Sequence, residues 1–90
     1  MKRLTKQELE ELLNNVRYDI MSNTNIRIGQ SFFNNLITFH PEFENIRGTP
    51  DDPFYNNKVL LHLVPIIIDK GAMVYWKTTN IYRLLAFGHI

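Results

Sequence analysis

The chain contains no cysteine, and this absence excludes several kinds of site. Disulfides, thiolate zinc sites, iron–sulfur clusters and a cysteine nucleophile all need that side chain. Serine occurs only at Ser22 and Ser31, and neither lies in the G-x-S-x-G pattern of a nucleophile elbow. The four glycines are isolated from one another, so none of them belongs to a phosphate-binding loop.

A strong charge of either sign and a long apolar run are also missing. Ten basic and nine acidic side chains leave a net charge of +1, which excludes a generic nucleic-acid binder and an acidic DNA mimic. The longest apolar run, residues 59–68, is interrupted by His62 and Pro65 and is too short to span a bilayer. Residues 1–3 lead into an acidic amphipathic stretch, which a signal peptide would not. We therefore expect a cytoplasmic protein without a membrane segment.

The composition that remains is that of an ordinary folded protein. Ninety residues, of which 44% are hydrophobic, predict a single domain over residues 1–90. Thr5 and Glu8 form a capping box, and the apolar residues behind them follow helical spacing, so the first helix is predicted over residues 6–21. A second helix is predicted over residues 26–39. Gly29 lies on its apolar face, and a glycine there predicts the close approach of another backbone.

The remaining elements are shorter, and one of them is ambiguous. A short helical segment is predicted over residues 41–48, a third helix over 57–64 and a final short helix after residue 79. Between residues 65 and 76, either the third helix continues to Asp69 and stops at Gly71, or Ile66–Trp76 forms a β-hairpin. The expected fold is therefore mainly α, with three to four helices and a C-terminal hairpin as one of two alternatives.

The most unusual polar set lies on the second predicted helix. Arg27, Gln30 and Asn34 stand at positions i, i+3 and i+7, which places them on one helical face. Such donors suit a phosphate, a carboxylate or a base edge. A structural alternative, which we favour, is that Arg27 pairs with an acid (Asp51, Asp52 or Glu44) and fixes the proline-rich loop to the helix.

The loop itself is predicted to act as a structural latch. Asp51 and Asp52 are expected to cap local turns, and Phe54 and Tyr55 to pack back into the core. A two-carboxylate hydrolase built on Asp51 and Asp52 is the least favoured function, because 90 residues leave little room for a cleft. No two histidines have metal-ligand spacing, so neither a metal nor another cofactor is expected.

Aromatic residues make up 12% of the chain and include a C-terminal group. Tyr75, Trp76 and Tyr82 lie near Arg83, and together they could form a stacking platform for single-stranded nucleic acid. They could equally anchor a protein interface, where such residues concentrate binding energy. Burial in the core is the simplest of the three explanations.

Two of these segments together resemble a group of small phage-type proteins. The pattern R-x-G-Q, here residues 27–30, followed by Asn34 and later by D-x-F-Y, here residues 52–55, is similar to the pattern of those uncharacterised helical proteins. The resemblance covers residues 24–64. It implies no activity, but it implies a phage setting, in which short proteins commonly bind and block a host component.

Together these observations predict a non-enzymatic protein-binding modulator. In the phage setting it would bind and inhibit a host or defence component. A homodimer is a second form of protein partner, since a domain this small leaves aromatic surface to cover. A small nucleic-acid or nucleotide-binding protein is the alternative function.

Overall fold

A computed structural model describes residues 3–23 and 25–89 of the chain. Within those ranges the mainly α prediction is confirmed, but five α-helices replace the predicted three to four, with two short 3-10 helices beside them. In chain order the elements are α1 (Lys6–Ser22), α2 (Ile28–Phe39), a 3-10 helix (Pro41–Ile46), a second 3-10 helix (Asn57–Val59), α3 (Leu60–Ile67), α4 (Lys70–Thr78) and α5 (Asn80–Phe87).

Helix α1 begins where the capping box predicts. The Thr5 backbone N–H donates to the Glu8 carboxylate at 2.9 Å, and the Glu8 N–H donates to the Thr5 hydroxyl at 3.1 Å. These two bonds satisfy donors that a helix start would otherwise leave unpaired. The apolar stripe of α1 is buried as predicted, which gives the helix its core-facing side.

Helix α2 packs on α1 through a polar clamp as well as through apolar side chains. The Asp19 carboxylate accepts hydrogen bonds from the Ser31 hydroxyl at 2.8 Å and from the Asn35 amide at 3.0 Å. Ser31 is fully buried, so its hydroxyl needs this partner. The clamp fixes the register between the two helices around Phe32 and Leu36, both of which lie in the core.

The alternative of a β-hairpin over Ile66–Trp76 is wrong, because no strand forms in the part of the chain that the structure describes. The helical alternative is also only partly right, since α3 ends at Ile67 and Gly71 lies in the first turn of α4. The deciding residue is Asp69, whose side chain accepts the Ala72 N–H at 3.1 Å. This N-cap starts a new helix where the sequence suggested a turn.

The break between α3 and α4 is held by the N-terminal segment. Leu4 forms an isolated parallel bridge with Ile68: the Leu4 N–H donates to the Ile67 carbonyl at 2.7 Å, and the Asp69 N–H donates to the Leu4 carbonyl at 2.8 Å. Leu4 and Ile68 are both buried, so the bridge closes one side of the core. No local pattern in the sequence predicts this long-range pairing.

The C-terminal helices complete the core, and α5 forms where a final short helix after residue 79 was predicted. Thr79 caps α5 by accepting the Tyr82 N–H at 3.1 Å, and Gly88 ends that helix with a φ of 80°. A left-handed residue at this position favours glycine. None of the helices in the described ranges combines the length and the hydropathy needed to cross a membrane.

Candidate interaction site

The structure brings the two halves of the R-x-G-Q and D-x-F-Y pattern into contact. Arg27 Nε donates to the Phe54 carbonyl at 3.2 Å, and the guanidinium carbon lies 5.5 and 5.4 Å from the ring centroids of Phe54 and Tyr55. The Gln30 side chain accepts the Arg27 backbone N–H at 3.3 Å. These contacts fix the loop to the start of α2, which is the latch that the structural alternative predicted.

Gly29 confirms the predicted close approach of a second backbone. An ideal Cβ at this position would lie 2.1 Å from the Pro53 carbonyl oxygen, far inside van der Waals contact. The Gly29 N–H donates to the Asn57 side-chain oxygen at 2.8 Å. The N-cap residue Arg27 makes no capping bond with its own side chain. Asn57, from a distant part of the chain, satisfies a backbone N–H at the start of α2 instead.

The partners expected for Arg27 are nevertheless engaged elsewhere. Asp52 accepts the Gly48 N–H at 2.7 Å and the Phe54 N–H at 2.9 Å, which shapes the loop as predicted. Asp51 lies 3.4 Å from the imidazole of His62. Arg27 thus forms the latch through a carbonyl and two rings, and the expected ion pair to the loop is wrong for the described residues.

Glu44, the third acid expected to pair with Arg27, instead pairs with Arg47. The Arg47 guanidinium donates to this carboxylate and lowers the pKa of Glu44 below its ordinary value. The guanidinium of Arg47 also lies 4.9 Å from the Phe33 ring centroid. The pair is solvent-exposed and belongs to the outer surface of the first 3-10 helix.

Arg27, which was predicted to share a helical face with Gln30 and Asn34, instead precedes α2 with an extended backbone (φ −83°, ψ 152°) and donates to the Phe54 carbonyl. The side-chain oxygen of Gln30 accepts the Arg27 backbone N–H. Asn34 is exposed one turn further along α2. Tyr55 also departs from expectation, since it is 82% exposed, whereas Phe54 is half-buried against the core.

Trp76 belongs to the core, and no stacking platform of three aromatics is available. Its side chain is fully buried, and the indole N–H has no hydrogen-bond partner among the residues that the structure describes. Tyr82 packs edge-on against it with centroids 5.5 Å apart. Tyr75 is half-buried, with the Lys6 ammonium 5.8 Å from its ring centroid. Burial in the core, the simplest of the three explanations, therefore holds for Trp76. Tyr82 is half-buried like Tyr75, and Arg83 is exposed.

An apolar groove lies between α1, the start of α2 and α5, with a volume of about 260 Å³. Among its hydrophobic side chains, Met21 at 85% and Leu84 at 39% are the most exposed. We call this surface the α1–α5 groove; its lining residues are Arg17, Ile20, Met21, Ile28, Asn80, Ile81 and Leu84. Ile20 follows the helical spacing that predicted the apolar side of α1, whereas Met21 was not among the residues predicted to form that side.

A second surface on α5 is basic and aromatic. We call it the basic patch; its lining residues are Lys77, Tyr82, Arg83, Phe87 and His89. None of the described residues that line the groove or the patch is acidic. Tyr82 and Phe87 meet edge-on with centroids 6.1 Å apart. The patch therefore presents positive charge beside two aromatic rings.

The described residues contain no group of three or more histidine, aspartate or glutamate side chains placed to hold a metal ion. The Asp51–His62 pair and the Glu8–His40 pair, at 3.4 and 3.5 Å, each bring together only two such groups. No protein-family model, curated protein or solved structure gives a significant match to this chain.

Proposed function

We propose that this protein is a non-enzymatic binding module that engages a partner protein through the α1–α5 groove. The observation that carries the proposal is the exposure of Met21 and Leu84 inside a concave apolar surface. Burying one such side chain contributes about 1.5–3 kcal/mol. Apolar side chains grouped in a groove are typical of binding surfaces, whereas single exposed ones are ordinary.

The charges around the groove favour a partner segment with acidic residues beside an apolar anchor. Arg17 lines the groove itself, and Lys77 and Arg83 lie on the neighbouring basic patch. Acids on the partner would meet these cations and speed association. In a two-fold homodimer the same basic surface of both copies would meet, and none of the described lining residues is acidic, which disfavours a second copy as the occupant.

The setting that we propose comes from the resemblance to phage-type proteins. In that setting the partner is a host or defence component, the binding takes place in the cytoplasm, and occupation of the partner's surface inhibits it. The contact between Arg27 and residues 54–55 supports the resemblance, because it joins the two halves of the pattern in the folded protein.

Capture by immobilised protein from a nuclease-treated host lysate tests the proposal when variants are compared. Met21→Glu adds a charge inside the groove, and Val74→Glu adds the same charge at a similarly exposed site (85% and 75%) that does not line it. We expect a protein that the wild type and Val74→Glu retain and Met21→Glu loses. Equal retention by both variants would refute the groove. If sedimentation shows a dimer for the wild type and a monomer for Met21→Glu, the groove is occupied by a second copy of the chain.

The basic patch favours nucleic acid as the alternative function. Lys77, Arg83 and His89 stand beside two aromatic rings, and bases stack on such rings while phosphates meet the cations. This alternative expects binding of a labelled oligonucleotide that weakens steeply with added salt and is lost in Arg83→Gln. Binding that does not respond to salt, or none at all, would exclude it.

A further inference from the structure

A separate pocket of about 290 Å³ shares no lining residue with the α1–α5 groove. It lies between the 3-10 helix Pro41–Ile46, the loop that follows, and α3. Its floor is apolar and closely packed, since Phe43, Leu63 and Ile67 are each less than a tenth exposed. The volume is at the lower end of the range for small-molecule sites, so it suits a ligand of about a dozen heavy atoms.

The wall of this pocket is held in shape by the protein itself. Asp52 accepts two backbone N–H groups of the loop, and the Thr49 hydroxyl donates to the Ile46 carbonyl at 2.6 Å. Pro50 and Pro53 fix the backbone further. A ligand would therefore enter a largely formed site, and its binding would not have to order the loop.

The two charged residues that line the pocket have opposite signs. Arg3 and Asp51 are not ion-paired with each other, and Arg3 forms no ion pair with any described residue. The Asp51 carboxylate lies 3.4 Å from the imidazole of His62, which does not line the pocket. A ligand with a single charge would satisfy one of these groups and leave the other facing an apolar body.

We propose that this pocket binds a free apolar α-amino acid. The ligand carboxylate pairs with the Arg3 guanidinium, the ammonium pairs with the Asp51 carboxylate, and the side chain lies on Phe43, Leu63 and Ile67. A zwitterion next to an apolar group is the smallest common ligand that matches both charges and the floor. This site is independent of the α1–α5 groove and does not rest on the proposed function.

Three probes that share one phenyl ring test the assignment: L-phenylalanine, 3-phenylpropanoate, which lacks the ammonium, and 2-phenylethylamine, which lacks the carboxylate. Affinities are measured by NMR shift titration of the intact chain. We expect L-phenylalanine to bind about tenfold or more tightly than either of the others, the change typical of one charge-assisted contact.

Variants then assign each charge to its residue. Arg3→Gln should weaken L-phenylalanine and 3-phenylpropanoate about tenfold and strengthen 2-phenylethylamine, because a repulsion between two cations is removed. Asp51→Asn should weaken L-phenylalanine and 2-phenylethylamine and strengthen 3-phenylpropanoate, because a repulsion is removed. Lys70→Gln, an exposed cation that lines neither this pocket, the groove nor the basic patch, is the control and should change none of the three.

Arg3 is exposed and Asp51 half-buried, so neither variant removes core packing, and thermal unfolding checks that both fold. Equal affinity of the three probes would overturn the proposal. The same conclusion would follow if each variant weakened all three probes alike, or if L-phenylalanine produced no saturable shift in the wild-type protein.

Discussion

Replacing Gly29 with alanine is the most direct perturbation of the latch between α2 and the proline-rich loop. An ideal Cβ at position 29 would lie 2.1 Å from the Pro53 carbonyl oxygen and 3.2 Å from the Asn57 side-chain oxygen. Real Cβ atoms stay beyond about 3 Å, so the loop and the helix must separate by about 1 Å. Pro53 is buried and the loop is fixed by Asp52, so the carbonyl cannot simply turn away.

The size of the effect follows from the contacts that the separation disturbs. Overpacking of this kind costs about 1–3 kcal/mol. Two hydrogen bonds cross the same junction, from Gly29 to Asn57 and from Arg27 to Phe54, and weakening them adds about 1 kcal/mol each. The higher helix propensity of alanine relative to glycine offsets about 1 kcal/mol of this loss of stability. We therefore expect Gly29→Ala to lower the free energy of unfolding by about 2–4 kcal/mol.

Gly71→Ala is the matched control, because it makes the same change in the first turn of another helix. A Cβ at position 71 would meet only the Asp69 carboxylate at 3.4 Å, an ordinary contact. We expect this variant to be unchanged or more stable by up to about 1 kcal/mol. Urea denaturation followed by circular dichroism measures both. A Gly29→Ala protein as stable as Gly71→Ala would refute the close approach and the latch with it.

Three further predictions concern the core, a cap and an ion pair. Trp76→Ala should lower the free energy of unfolding by about 3–5 kcal/mol, whereas Trp76→Phe should cost much less because it also removes the unpaired buried indole N–H; calorimetry separates them. Asp69→Ala should cost about 1 kcal/mol by removing the α4 cap, and Asp69→Asn should retain most of that stability in urea denaturation. Arg47→Gln should raise the pKa of Glu44 toward its ordinary value, which a carboxyl NMR titration would detect. In the wild type, the stabilisation from this ion pair is lost as the pH falls through the lowered pKa of Glu44.

Local signals in the sequence predicted the elements whose determinants lie close together along the chain. The Thr5–Glu8 capping box placed the start of α1, and Gly29 on an apolar face predicted the close backbone approach. Residues 66–76 were misjudged because the β-branched run and Gly71 suggested a hairpin, while Asp69 was not recognised as an N-cap. The pattern of Asp followed by a helical stretch was present, but β propensity outweighed it.

The interaction surfaces depended on contacts that no local pattern reveals. Arg27 and Phe54 are 27 positions apart, and two rings and a carbonyl replaced the expected carboxylate partner. The α1–α5 groove joins Met21 to Leu84, which helix packing alone brings together. Trp76 could have been assigned to either the core or the surface, because composition does not say which aromatic side chains a small domain buries.

Site-specific photo-crosslinking tests the proposed binding groove most directly, and the absence of native cysteine makes it possible. Met21→Cys and Val74→Cys each receive one benzophenone label, the first inside the groove and the second at a similarly exposed site that does not line it. In nuclease-treated host lysate, we expect one discrete protein adduct from the label at position 21 and none from the label at position 74. Equal adducts from both positions, or adducts from position 74 alone, would contradict it.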